Sequence, residues 1–231
     1  MPNYSSFLKQ NSSTLSSLEP DLSLDVLVSL QDIRVELNQN CILNHLSLQL
    51  KRDQRLALMG PSGVGKSTLL KVLAGILEPN EGKVFHQGSV SMVFDQDGLY
   101  PMLSCLENVE LGVDFSKTSS KKRRAMAKHW IQVFDCQSFW KQKVSTLSAG
   151  QRKRTGLARA MMKHPDLLLL DETFHALDES LRKQLMETIL KLQEQMHFAL
   201  VFSTHDPMEA QFLKAEVFIL EEHETSFPIS S

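Results

Sequence analysis

The chain has 231 residues, 42% of them hydrophobic, which suits one globular domain or two small lobes around a sizeable core. Lys and Arg total 25 against 27 Asp and Glu, a formal net charge of −2, and aromatics make up 7%. That balance supplies no global basic field and few stacking rings, which argues against non-specific nucleic-acid binding as the main task. No apolar run approaches the roughly 20 residues that span a bilayer. The amino-terminal stretch has no apolar core of a secretory signal. Cys41, Cys105 and Cys136 are scattered and form neither a metal spacing nor a disulfide framework, so a reducing cytosol is the simplest compartment. Collagen, coiled coil, disulfide scaffold and integral membrane protein are excluded.

Residues 1–25 are Ser-rich, lack periodicity, and are expected to form a disordered tail. Residues 27–30, 33–37 and 46–50 read as short strands, and 55–59 as a strand ending at Gly60. A helix is expected from Lys66 to about Ile76, stopped by Glu78-Pro79. Short strands follow at 83–85 and 91–94. The stretch 98–146 reads as helical, with Met126, Trp130, Val133 and Phe134 at helical spacing. The basic run at 121–124 opens that helix and reads as a solvated face. The last third alternates: helix 151–162, apolar strand 167–171, then a helix with Leu181, Leu185, Ile189, Leu192 and Met196 on one face. Strand 198–203, helix 207–213 and strand 216–220 complete the pattern. Helices between strands imply an α/β fold with parallel pairing, right-handed crossovers and ligand sites at the strand carboxyl ends.

Gly60-Pro61-Ser62-Gly63-Val64-Gly65-Lys66-Ser67-Thr68 fits GxxxxGK[ST] between a predicted strand and a predicted helix, which is the context this phosphate loop requires. Glycines let backbone amides turn toward phosphates without a Cβ clash. The following helix adds its positive end. Lys66 supplies a point charge to the β- and γ-phosphates, and Ser67 a hydroxyl to Mg²⁺. The run Leu167-Leu168-Leu169-Leu170 ends in Asp171 and Glu172. Asp171 suits the water shell of Mg²⁺. Glu172, one residue on, suits polarisation of an attacking water. These features fix nucleotide binding and leave a nucleotide kinase or a GTPase open.

Leu147-Ser148-Ala149-Gly150-Gln151, followed by a basic helix through Arg159-Ala160, resembles the LSGGQ signature of the ATP-binding subunits of ABC transporters. Ser148, Ala149 and Gly150 precede a helix start expected near Gln151, a second anion site. The resemblance implies that two subunits pair head to tail, each signature closing on the other's ATP. Ala176-Leu177-Asp178 resembles the family's D-loop, whose Asp lies at the dimer seam. Ser203-Thr204-His205-Asp206 resembles its switch loop, in which His205 would contact the γ-phosphate and orient the water with Glu172. The resemblance covers about residues 27–220. Met92-Val93-Phe94, Leu99-Tyr100-Pro101-Met102 and Leu106-Glu107-Asn108-Val109, together with the LDETFHALD run ending at Asp178, are similar to importer subunits of the nitrate, sulfonate and taurine type.

The implied fold is an α/β P-loop NTPase of the ABC ATPase type. It has a mainly parallel core sheet, an antiparallel β subdomain and an α-helical subdomain inserted at about 98–160. The implied domain spans 26–222, followed by a short tail at 223–231 and no regulatory domain. The implied cofactors are ATP and Mg²⁺. The implied partners are a transmembrane permease, a second ATP-binding subunit in a homodimer, and a substrate-binding protein, with no nucleic acid. The implied location is cytoplasmic, peripheral on the inner face of the cell membrane, with Tyr100, Pro101 and Met102 near the permease. Two rivals stand beside this: a degenerate nucleotide-binding subunit of a heterodimer, and a soluble ABC ATPase outside transport.

Some positions depart from the family pattern. Asp95 stands where the family has a Mg²⁺-sensing glutamine, and Gln96 follows one residue late. Either Asp95 ligates Mg²⁺ through oxygen or Gln96 takes the place. Leu37 stands where an adenine-stacking aromatic is expected. Loss of base–aromatic stacking is worth roughly 1–3 kcal/mol, which predicts weaker ATP binding and looser nucleotide selection. Thr173 and His175 replace the usual Pro and Ser.

Overall fold

The computed structural model describes residues 25–95, 98–175 and 177–221. The disordered tail expected at 1–25 and the tail at 223–231 lie, but for Asp25, outside the described residues. The chain enters through β1 (Val26–Leu37) and returns antiparallel along β2 (Asn40–Lys51). Asn38 and Gln39 make the turn with φ of 51° and 67°. Two positive φ values in a two-residue loop match the twist of the flanking strands.

The two strands expected at 27–30 and 33–37 are one strand, bent at Asp32. Its φ is 51° and the register slips between Leu30 and Ile33, which is a bulge. β2 starts six residues before the expected 46. His45, at φ 50°, breaks the alternation there, and the register slips again between the pairs Ile33–Leu46 and Val35–Leu43. β4 (Glu81–His86) pairs with the other edge of β1 and completes a three-stranded antiparallel sheet.

The second sheet is parallel throughout. It contains β3 (Arg55–Met59), β5 (Val90–Val93), β6 (Leu167–Leu170), β7 (Ala199–Ser203) and β8 (Glu216–Ile219), in the order β5-β6-β7-β3-β8. Every residue of β6 and β7 is buried, as expected of central strands covered on both faces. The pleat sends alternate residues to two cores. Leu167, Leu169, Ala199 and Val201 join the core shared with α1 (Lys66–Leu73) and the antiparallel sheet. Leu168, Leu170, Leu200 and Phe202 join the core shared with the remaining helices.

α1 stops three residues short of the expected Ile76. Gly75 turns at φ 67°, with its amide bonded to Val72 O (3.0 Å) and the Ile76 amide to Lys71 O (2.9 Å). That is a Schellman end, which satisfies the last carbonyls. The stretch expected to be helical holds α2 (Cys105–Glu110) and α3 (Ser120–Val133), with Trp130 and Phe134 buried. In its basic run, Arg124 pairs with Glu110 at 2.7 Å and Arg123 lies 3.9 Å over the Phe115 ring, while Lys121 and Lys122 are exposed.

α4 (Ala149–Met161) begins two residues before the expected start. α5 (Glu179–Met196) buries Leu185, Ile189 and Leu192, and α6 (Pro207–Phe212) leads into β8. All three cysteines are free thiols. Among the described residues, no helix is long and apolar enough to cross a membrane.

Asp166 closes the entry to β6. Its carboxylate accepts from the Ser89 amide (2.8 Å), Ser89 Oγ (3.0 Å) and Arg52 Nη1 (2.7 Å). The Ser89 amide, then the Arg52 guanidinium, hold this carboxyl below its ordinary range. Its contribution to stability is therefore present at neutral pH and is lost as pH falls through the lowered value. Asp166→Ala should destabilise the protein by about 1–2 kcal/mol at neutral pH, and the difference from wild type should shrink in acid. Urea titrations at both pH values check this; a pH-independent difference contradicts it.

Candidate nucleotide-binding site

β3 ends at Met59 and the chain turns into α1 through three glycines at positive φ: Gly60 (147°), Gly63 (83°) and Gly65 (111°). A Cβ on Gly60 would lie 2.4 Å from the backbone oxygen of Leu220, just past β8. A Cβ on Gly65 would lie 3.0 Å from Ile42 Cγ2, where β2 crosses the loop. Pro61, Ser62 and Gly63 are exposed, while Val64 and Lys66 are buried. The loop thus presents its first half to solvent and anchors its second. Lys66 Nζ donates to Gly60 O (2.9 Å) and Pro61 O (2.7 Å), so the ammonium sits inside the loop. Gly65 is the N-cap of α1 and offers no side-chain acceptor, which leaves the first amides of the helix to an outside partner. Thr68, half-buried, follows in the first turn of α1.

Asp171 follows β6 and is 5% exposed. Its Oδ1 accepts from Ser67 Oγ at 2.9 Å and from Ser203 Oγ at 2.8 Å. One carboxylate oxygen thereby joins the start of α1, the end of β6 and the end of β7. Ser203 Oγ also accepts from the Glu172 amide at 2.8 Å. Glu172 is a non-glycine residue in the left-handed region, φ 41°. His205 is exposed, and its ring meets that of His175 edge-on, with centroids 5.0 Å apart. Glu172, His175, Arg182, His205 and Asp206 are among the residues lining a cavity of about 60 Å³. The expected catalytic residues therefore fall in two groups: Lys66 with Ser67 and Asp171, and Glu172 with His205. Ser203 bridges them, a role that the sequence reading did not foresee. The available signal was a small polar residue closing a wholly apolar strand.

At the signature, Ser148 and Gln151 bond to each other. Ser148 Oγ accepts from the Gln151 amide (3.3 Å) and Gln151 Oε1 accepts from the Ser148 amide (2.9 Å). This capping box starts α4 at Ala149, where the expectation placed the start near Gln151. Ala149 has ordinary helical backbone, so that position needs no glycine. Gly150 is different: a Cβ there would lie 2.4 Å from Leu181 Cδ2, on α5. Asp178 caps α5 by accepting from the Leu181 amide at 2.9 Å. The signature helix and the helix that follows the D-loop therefore meet at their amino-terminal ends. Ala176 lies outside the described residues.

Leu37 is 40% exposed at the end of β1. Two residues earlier, Val35 pairs with Leu43, which packs beside Gly65. Leu37 thus stands at the hairpin end of the strand pair that crosses the phosphate loop. Asp95 is exposed, and its carbonyl accepts from the buried ammonium of Lys153 on α4, with Asp95 Oδ1 3.9 Å from the same nitrogen. Gln96 lies outside the described residues.

The family described as ABC transporter matches residues 43–175. The chain is 39% identical over 191 residues to the taurine import ATP-binding protein TauB of Pseudomonas aeruginosa, covering 79% of this chain and 73% of that protein. It is 36% identical over 190 residues to a probable sulfate/thiosulfate import ATP-binding protein, CysA, of Chlorella vulgaris, covering 78% and 80%. Among solved structures, the dimeric post-hydrolysis state of the ATP-binding cassette MJ0796, bound to ADP and Pi, matches with a TM-score of 0.77 and 28% identity, over 84% of this chain and 94% of that one. The chain belongs to the ABC transporter family, as an ATP-binding and ATP-hydrolysing subunit.

Proposed function

We propose that Lys66, Ser67, Asp171, Glu172 and His205 carry MgATP hydrolysis, and that paired copies use it to drive import through a separate membrane permease. The carrying observation is the junction at Asp171 Oδ1, which gathers Ser67 and Ser203 within 2.9 Å. A hydroxyl and a carboxylate held side by side fit Mg²⁺, a hard cation that takes oxygen ligands. The glycine cradle, which a Cβ at Gly60 would fill, fits a polyphosphate.

In this reading the amides of Gly60, Pro61, Ser62, Gly63, Val64 and Gly65 that have donors, with Lys66, Ser67 and Thr68, hold the phosphates. Pro61 has no amide proton and contributes shape alone. Lys66 shifts from the loop carbonyls to the phosphate oxygens. Ser67 and Asp171 hold Mg²⁺, which when bound neutralises phosphate charge. Either Asp95, whose carbonyl accepts from Lys153, or Gln96 takes the sensing position. Glu172 accepts the proton of the attacking water, and His205 holds the γ-phosphate end. Leu37 packs on the adenine. Ser148, Ala149, Gly150 and Gln151 close on the ATP of a second copy, and Asp178 lies at the seam. Pairing is supported by the dimeric cassette to which this fold is similar.

The import reading is supported by the relatives named for taurine and sulfate import. The protein would sit at the inner face of the membrane. Tyr100 (59% exposed) and Met102 (67%) offer an apolar face to the permease. Neither rival reading draws support: the residues proposed for hydrolysis are all present, and the taurine and sulfate/thiosulfate relatives are named as import ATP-binding proteins.

Steady-state ATPase assays test this. Lys66→Ala should lower turnover by about 100-fold or more through lost charge stabilisation. Glu172→Gln should bind ATP normally and lose about 100-fold in turnover. Wild-type turnover in either variant removes that residue from its role. Leu37→Tyr should tighten ATP binding by roughly 1–3 kcal/mol, read as Kd by titration calorimetry; an unchanged Kd contradicts the adenine-packing role of Leu37.

A further inference from the structure

The loop after β7 carries more polar contacts than its length requires. Thr204 and Glu209 are both buried, at 3% and 6% exposure. The Thr204 amide donates to Leu58 O on β3 at 3.0 Å. Its hydroxyl donates to Glu209 Oε2 at 2.7 Å and accepts from the Asp206 amide at 3.0 Å. Arg182, on α5, places Nη1 3.4 Å from Asp206 Oδ2 and 3.8 Å from Glu209 Oε1. Asp206 also caps α6 through the Met208 amide at 2.9 Å. His205 is therefore an exposed ring between two residues that are both pinned.

The composition of this network is informative. A hydroxyl has one proton, and Thr204 gives it to Glu209, which leaves its lone pairs for the Asp206 amide. A buried carboxylate is costly unless it is satisfied, and burial does push the Glu209 carboxyl above its ordinary range. Thr204 and Arg182 supply that satisfaction, and Glu209 lies in the first turn of α6. Arg182 also lies one turn from the amino end of α5, its amide bonded to Asp178 O at 2.9 Å. The guanidinium thus links the helix capped by Asp178 to Asp206 and Glu209, the two carboxylates that follow His205, and Glu209 in turn holds Thr204 before it.

We propose that Arg182, Glu209 and Thr204 form a latch that positions His205 and ties it to the start of α5, a reading that rests on His205 contacting the γ-phosphate. They are positioning residues and do not touch the nucleotide. Binding at the phosphate loop, which the latch does not contact, is left alone.

The test compares kcat and KM for ATP in full-length wild type, Glu209→Leu, Glu209→Gln, Thr204→Val and His205→Ala. Glu209→Leu keeps volume and removes the acceptor. It should lower kcat about tenfold, the scale of one buried hydrogen bond, with KM within about twofold. Glu209→Gln, whose amide oxygen still accepts from Thr204, should recover to within about threefold of wild type. Thr204→Val removes the hydroxyl at constant shape and should match Glu209→Leu. It carries the test if the leucine variant does not fold. A double variant carrying both Glu209→Leu and Thr204→Val should lose no more than either single, as parts of one unit do. Unchanged kcat in Glu209→Leu and Thr204→Val, a KM that rises in step with the loss, or a glutamine no better than leucine would each overturn the latch. If His205→Ala loses turnover while Glu209→Leu and Thr204→Val do not, the latch alone fails. If His205→Ala turns over like wild type, the reading of His205 fails and the latch with it.

Discussion

A single oxygen, Oδ1 of Asp171, accepts hydrogen bonds from Ser67 on α1 and Ser203 on β7, and the rest of the site is arranged around it. Taking this carboxylate out of water is costly unless its lone pairs are used, and two hydroxyls from two other elements use them. The strand that precedes it is paired on both sides. β6 lies between β5 and β7, and its alternate leucines enter separate cores. Four identical leucines do not themselves define the register, but a one-residue slip would carry Asp171 away from Ser67 and Ser203 and break both hydrogen bonds. The sheet register is thus what sets the distance between the phosphate loop and the acidic pair.

The second constraint is close approach. Gly60 lies under Leu220 O and Gly65 under β2, so the phosphate loop is held by one strand of each sheet. The antiparallel sheet is accordingly part of the nucleotide site, and its hairpin end carries Leu37. Gly150 obeys the same rule elsewhere: Leu181 occupies the space beside it, which brings the signature helix onto the amino end of α5. Asp178 caps that end and Arg182 follows one turn later. The signature, the D-loop and the His205 loop are mechanically adjacent within one chain.

How much of this the sequence disclosed depended on whether the cause was local. The loop from Gly60 to Thr68 is read from residue type and spacing, because its chemistry needs those residues in that order. The strand before Asp171 is read from its unbroken leucines. Where local signals competed, the boundaries moved. Ser148 with Gln151 is a capping-box pattern, and it starts α4 earlier than the apolar periodicity indicates. His45 and Asp32 break the two-residue alternation at bulges, which hides the full lengths of β2 and β1. Contacts made only by folding left no local trace. Nothing in the spacing of Arg182, Thr204 and Glu209 announces that they meet, and the lone polar residue that closes β7 marks Ser203 without saying that it serves both Asp171 and Glu172.

If each signature completes the site of a second copy, ATP should hold two chains together whenever hydrolysis is stalled. Light scattering on purified Glu172→Gln protein, with and without MgATP, reads this directly. Head-to-tail pairing predicts a monomer without nucleotide and a dimer with it. A protein that binds ATP yet stays monomeric under both conditions would contradict the pairing of like copies through Ser148 and Gly150.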